Sequence, residues 1–212
     1  MDDGSGVVAG RARRELRRHY EGTLLFRGLV CPVRYIVSWR CGRLLMVVEP
    51  AVLDEGGGDY TLMVPSETDA AAQLLLNISE AHEEGEAGES CDRWRAYHTG
   101  GERGVWAWGK IEAAKLEEGV CGGEEVQRPN PLWRAEPRLC RELNAHRAAV
   151  AEACRRLTGL RVENPVVVGV DEGGIDVRAR FGVVRLEFEE EALSEDAAME
   201  QVRRVLTMGS EG

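Results

Sequence analysis

The 212-residue sequence has no long apolar run, no Cys-x-x-Cys pair and none of the short catalytic signatures. Its longest uninterrupted apolar stretch is Leu44–Val48, whereas a helix that crosses a bilayer needs about 20 such residues. No membrane span is expected. Residues 1–10 lack a basic segment followed by an apolar one and do not read as a signal peptide. The six cysteines, Cys31, Cys41, Cys91, Cys121, Cys140 and Cys154, are scattered. That spacing argues against zinc, and the expected state is free thiols in a reducing cytoplasm. Also missing are Gly-x-Ser-x-Gly, a Walker loop, His-Glu-x-x-His and the dinucleotide Gly-x-Gly-x-x-Gly. No catalytic residue and no metal site can be assigned from spacing.

What is present fits a soluble globular protein. The hydrophobic fraction is 43% and the net charge is -10. Such a charge favours solubility and opposes general attraction to nucleic acid or an anionic membrane. It is unevenly spread. Arg11, Arg13, Arg14, Arg17 and Arg18 make a basic start, and Glu80, Glu83, Glu84, Glu86, Glu89 and Asp92 an acidic middle. The length suits one large or two small domains.

Residues 1–10 read as frayed and residues 11–20 as a helix, with Ala12, Leu16 and Tyr20 on one stripe. Its arginines read as a solvated face. Strands follow at 23–26, 33–40, 43–53 and 60–65. In residues 33–40, Val33, Tyr35, Val37 and Trp39 point one way and Arg34, Ile36, Ser38 and Arg40 the other. Residues 66–69 read as a cap for a short helix over 70–75, residues 76–79 as a strand, and residues 80–92 as a mobile acidic loop. Strand character returns at 104–116, with Trp106, Trp108 and Lys110 opposite Val105, Ala107 and Ile111. Short strands separated by Gly turns indicate a barrel or sandwich.

Residues 119–131 read as a connector, which divides the chain into a β domain over 1–128 and an α+β domain over 129–212. Residues 137–158 predict one helix with Pro137 in its first turn and Gly159 at its C-terminal cap. Leu139, Leu143, His146, Val150, Ala153 and Leu157 form its apolar stripe. Strands at 166–170, 175–180 and 183–188 make a meander, and Ser194 caps a last helix to about 206.

Three segments resemble the haem-utilisation family. They are the run Gly169-Val170-Asp171-Glu172-Gly173-Gly174-Ile175-Asp176-Val177-Arg178-Ala179, the preceding Leu143-Asn144-Ala145-His146, and the entry Gly22-Thr23-Leu24 after an Arg-rich helix. In that family a small C-terminal domain follows a split β-barrel of the pyridoxamine-phosphate-oxidase type. The resemblance implies an α+β fold, an FMN-binding-type split β-barrel followed by a helix, β-meander, helix domain. It implies a homodimer with ligand sites between the barrels, holding flavin mononucleotide (FMN), haem, or no cofactor in members that have lost the site. This chain departs from the family in three places. Arg147 stands where the family's Asn-x-x-His histidine aligns, residues 66–73 contain no histidine, and the chain ends without a histidine tail.

A flavin phosphate carries about two negative charges and needs Arg or Lys with hydroxyl donors. Arg34, Ser38 and Arg40 share a strand face, and Ser66 and Thr68 close another strand, so in a split barrel the five could converge. The competing reading has them facing solvent or pairing with Glu49. Trp106 and Trp108 could border a flat ring or anchor a dimer interface. For haem iron, the histidines are His19, His82, His98 and His146, with none paired at i, i+4. Two functions stay open: a redox or haem-handling protein with a planar cofactor at a dimer interface, and a non-catalytic interaction module that has lost its cofactor.

Overall fold

The computed structural model describes residues 3–54, 59–65, 71–100 and 103–207, so the candidates Ser66 and Thr68 lie outside the described residues. The chain divides into two compact units. One comprises Met1–Arg95 with Gly100–Pro129, and the other Ala96–Thr99 with Asn130–Gly212. No helix among the described residues is long and apolar enough to cross a membrane.

The first unit opens with helix α1 (Asp3–Arg18). It starts eight residues before the expected helix, within the segment read as frayed. Strands β1 (Glu21–Phe26), β2 (Leu29–Val37) and β3 (Leu44–Val48) follow, then a short helix α2 (Ala51–Asp54) and strands β4 (Tyr60–Val64) and β5 (Ala72–Glu80). Helix α3 (Gly85–Tyr97) leads to the long strand β6 (Val105–Leu116), β7 (Gly119–Gly122) and the one-turn α4 (Gly123–Val126). The sheet order is β3-β2-β1-β4-β5-β6-β7, and a further pairing of β3 with β6 closes six of the strands into an antiparallel barrel. Closure leaves those strands without a free edge.

Strand alternation sorts the residues by face. Leu24, Phe26, Val33, Tyr35, Leu44, Met46, Leu62, Leu74, Ala107 and Ile111 fill the barrel. Val33, Tyr35 and Val37 of β2 and Val105, Ala107 and Ile111 of β6 face the barrel as expected, but β2 stops at Val37, short of the expected Arg40, and Trp39 lies outside it against Arg93 of α3. A bulge sets Leu75 opposite Ala113 and Leu76 opposite Ile111. It switches the parity of β6 at Glu112, so Ala114 and Leu116 point inward beyond it. At the start of β6, Gly104 has φ +143, and a Cβ there would strike the Val48 carbonyl. Only glycine lets β6 close against β3 at that point.

Four further sequence expectations fail here. The strand expected over 43–53 ends at Val48, and residues 51–53 belong to α2. Of the helix expected over 70–75, residue 70 lies outside the described residues, and residues 72–75 belong to β5, because Leu74 and Leu76 alternate into the barrel. The acidic stretch expected as a loop builds most of α3. The connector expected from residue 119 contains β7 and α4.

The second unit carries α5 (Glu136–Ala145), α6 (Arg147–Thr158), the antiparallel strands β8 (Val166–Asp171), β9 (Gly174–Ala179) and β10 (Gly182–Glu187), and α7 (Glu195–Thr207). Its core joins Leu139, Leu143, Val150, Ala153, Val167, Ile175, Val177, Val184, Leu186 and Val202. The single helix expected over 137–158 is two helices, broken at His146, whose backbone (φ -114, ψ 42) is not helical. His146 is exposed at this break rather than in the core, and Leu157 is 44% exposed. Gly159 caps α6 in the left-handed region at φ +73, as expected.

The outer edge of β8 is satisfied by side chains. Asn144 Nδ2 donates to the Val167 carbonyl at 2.9 Å, and Val167 N donates to Asn144 Oδ1 at 2.8 Å. Asn130 Nδ2 donates to the Val170 carbonyl at 2.8 Å, and Val170 N donates to Glu136 Oε1 at 3.1 Å. Three polar residues thus complete a ladder that a fourth strand would otherwise supply.

Candidate functional site

The five described residues among the seven singled out from the sequence do not share one environment. The β2 backbone points Arg34 and Ile36 away from the barrel interior, Ser38 follows directly after the strand, and α3 packs on this outer face. Trp94 of α3 donates its indole N–H to the Arg34 carbonyl at 3.1 Å. Ser38, only 1% exposed, donates to Glu86 Oε1 at 3.0 Å. Arg40 meets the Glu89 carboxylate at 2.9 Å, and Arg93 lies 5.2 Å from the Trp39 ring centre.

Trp106 and Trp108 project from the outer face of β6, and both are buried. Trp106 stands edge-on to Trp94 at 5.4 Å and donates to Glu83 Oε1 at 2.8 Å. Arg95 holds the other Glu83 oxygen at 2.8 Å and lies over the Trp106 ring. These hydrogen bonds, Arg95 first and then Trp106, pull the Glu83 carboxyl below its usual 4.5. The Trp108 ring carries the Arg43 guanidinium at 4.5 Å, a cation–π contact. The carboxylates read as a mobile acidic run therefore meet hydroxyl, guanidinium and indole donors of the first unit. No periodicity reveals this, because Ser38 and Arg40 lie 48 and 49 residues from Glu86 and Glu89, and even Trp106 lies 23 residues from Glu83.

Arg34 itself opens onto a cleft of about 470 Å³. Its polar walls are Arg34, Arg103 and Glu21, its apolar walls include Pro32 and Val47, and Trp94 contributes a largely buried edge. Volumes of this order suit small organic ligands. Two guanidinium groups can grip a phosphate or carboxylate through paired N–H donors. Arg103, Glu21 and Trp94 were not singled out from sequence. Trp94 carried a usable signal as an aromatic within an acidic run. Arg103 sits in the Gly-rich segment Gly100-Gly101-Glu102-Arg103-Gly104 and carries none.

Beneath the cleft, the fully buried Tyr35 hydroxyl donates to the carbonyls of Leu16, at 3.2 Å, and His19. Burial first, then the Glu15 and Glu21 carboxylates, pushes its pKa well above 10.0, so it stays a neutral donor tying β2 to α1. The α1 arginines are also engaged. Arg11 pairs with Glu118, and Arg13 donates to the Glu125 carbonyl at 2.7 Å. Arg17 is buried, against the expectation of a solvated face.

Among solved structures, the chain is similar to a crystal structure of an Agrobacterium tumefaciens protein of unknown function. The TM-score is 0.73 at 13% identity, covering 95% of this chain and 96% of that one. At this identity the likeness establishes the fold alone. A heme binding protein from Mycobacterium smegmatis aligns over 93% of this chain and 97% of that one, with 18% identity and a TM-score of 0.40. No family model and no curated protein matches the sequence.

Proposed function

We propose that the chain is a split-barrel protein that binds a flat, anionic cofactor of the FMN or haem class at the Arg34–Arg103 cleft, and that it works as a homodimer. The observation that carries this reading is the pairing of two guanidinium groups in one cleft of about 470 Å³. The phosphate of FMN suits Arg34 and Arg103. Haem propionates suit them as well, but among the described residues no lining residue is a His, Cys, Met or Tyr that could ligate iron. A bound flavin would supply the electron transfer, while the chain's residues hold its charged end and wall it from water. Dimerisation is supported by one rung of the barrel's outer surface, where Val30, Leu25, Thr61 and Leu75 align in register. Val30 is 68% and Leu75 41% exposed there.

The test is a visible spectrum of the purified protein followed by titration with FMN and with hemin, alongside light scattering for mass. Binding of either at micromolar concentration, weakened in Arg34→Ala, supports the reading. A colourless protein that binds neither refutes it.

The second reading is an interaction module without a cofactor. It is favoured by the engagement of Ser38 and Arg40 with α3 carboxylates, of Trp106 with Glu83 just before α3, and of Trp108 with Arg43. These four candidates already have partners within the chain.

A further inference from the structure

The cleft holds one carboxylate beside its two guanidinium groups, and the strand register puts it there. Glu21 of β1 and Arg34 of β2 are direct cross-strand partners, which brings their Cβ atoms within about 5.5 Å of each other. Both side chains are exposed and line the cleft, with Arg103 as the third charge. Among the described residues, the walls therefore set two positive charges against one negative.

An ionised carboxylate only accepts hydrogen bonds. A ligand group lying against Glu21 must be a donor or a cation, and a second anionic group there meets like charge in a partly desolvated space, which selects against it. We propose that Glu21 is the selectivity element of this cleft. It admits a ligand that offers one anionic group to Arg34 and Arg103 and a hydroxyl or amide donor to Glu21. It rejects a ligand that carries two separate carboxylates. This rests on the cofactor reading above and narrows it. FMN has one phosphate and a hydroxyl-bearing chain. A porphyrin has two carboxylates and no peripheral donor, and no cleft residue offers its metal a compensating bond.

The experiment titrates the whole chain with FMN and with metal-free protoporphyrin IX, following tryptophan quenching, in wild type and in Glu21→Gln. Wild type should bind FMN more tightly. In Glu21→Gln the affinity ratio should move toward the porphyrin by about fivefold or more. Because Glu21 is the exposed first residue of β1, circular dichroism should be unchanged. If that variant misfolds, Glu21→Lys substitutes for it and should move the ratio further the same way. FMN binding by wild type with a ratio unmoved by either variant overturns this inference and leaves the cofactor reading standing. A wild type that prefers the porphyrin also overturns it alone. A wild type that binds neither at about 100 µM overturns both.

Discussion

The Tyr97 hydroxyl donates a 2.8 Å hydrogen bond to Asp176 Oδ2, while Arg185 donates to Asp176 Oδ1 at 2.8 Å. Arg185 also grips both oxygens of Asp171, at 2.5 and 3.0 Å. All these groups are nearly buried. One guanidinium thus serves two carboxylates in the second unit, with the phenol completing Asp176. A buried charge is tolerable only when paired, and removing the shared cation strands two anions. Arg185→Met should cost about 3–5 kcal/mol in urea unfolding, and Tyr97→Phe about 1–2 kcal/mol. Wild-type midpoints in both variants would refute the network's role.

Glu83 supplies an acid-sensitive contact. Its pKa is depressed in the fold, so its contribution is present above 4.5 and is lost as pH falls through the lowered value. The melting temperature of wild type should therefore approach that of Glu83→Gln on acidification below about pH 4.5. Trp106 fluorescence should shift in parallel. Parallel melting curves across that range would contradict the assignment.

Thiol chemistry should separate into two groups. Cys91, Cys121 and Cys154 are buried, and Cys31, Cys41 and Cys140 are half-buried. Desolvation pushes Cys154 from 9.0 up to about 11, and burial raises Cys121 as well. Since the thiolate is the reactive form, native protein at pH 8 should expose at most three thiols to a chromogenic disulfide. The rest should appear on unfolding. A raised folded pKa also means that the Cys154 contribution holds below 9.0 and fades as pH rises through about 11. Rapid labelling of Cys154 in folded protein would contradict this.

Asn144 predicts a localised loss. Its two hydrogen bonds to Val167 act as a pair, so Asn144→Ala should cost about 1–3 kcal/mol. It should also accelerate amide exchange at Val167 before any other β8 position. Asn144→Asp retains the acceptor for Val167 N but turns a second acceptor toward the Val167 carbonyl, so it should not rescue. Full stability in Asn144→Asp would argue against the paired geometry.

Each cleft arginine should matter by itself. Loss of one charge-assisted contact is worth about 1.5–3 kcal/mol, so Arg34→Ala or Arg103→Ala should weaken FMN by about tenfold or more in calorimetry. Equal affinity in Arg103→Ala would remove that residue from the site.

The strands of the barrel were legible because its interior and exterior differ chemically. Val33, Tyr35 and Val37 alternate with Arg34 and Ser38 on one strand, and that contrast survives folding. The α3 helix was not legible. Glu83, Glu86 and Glu89 look alike in solvent and on a docked helix face, and their partners Arg40 and Trp106 are remote in sequence. The break at His146 was hidden for a different reason. Leu139, Leu143, Val150 and Ala153 keep a near-helical spacing through a change in backbone direction, so periodicity alone extends the helix across it. At the site, Arg34 was found because a strand face displays it. Its neighbour Arg103 comes from a loop, and Glu21 gains meaning only from pairing opposite Arg34.

The side-chain seal along β8 has a consequence for assembly. A bare sheet margin is a template on which a second polypeptide can continue the ladder. Here Asn130, Glu136 and Asn144 already occupy the positions that an incoming strand needs. The three-stranded sheet therefore stops growing at β8, and both recognition by strand donation and runaway stacking of copies are blocked at that margin.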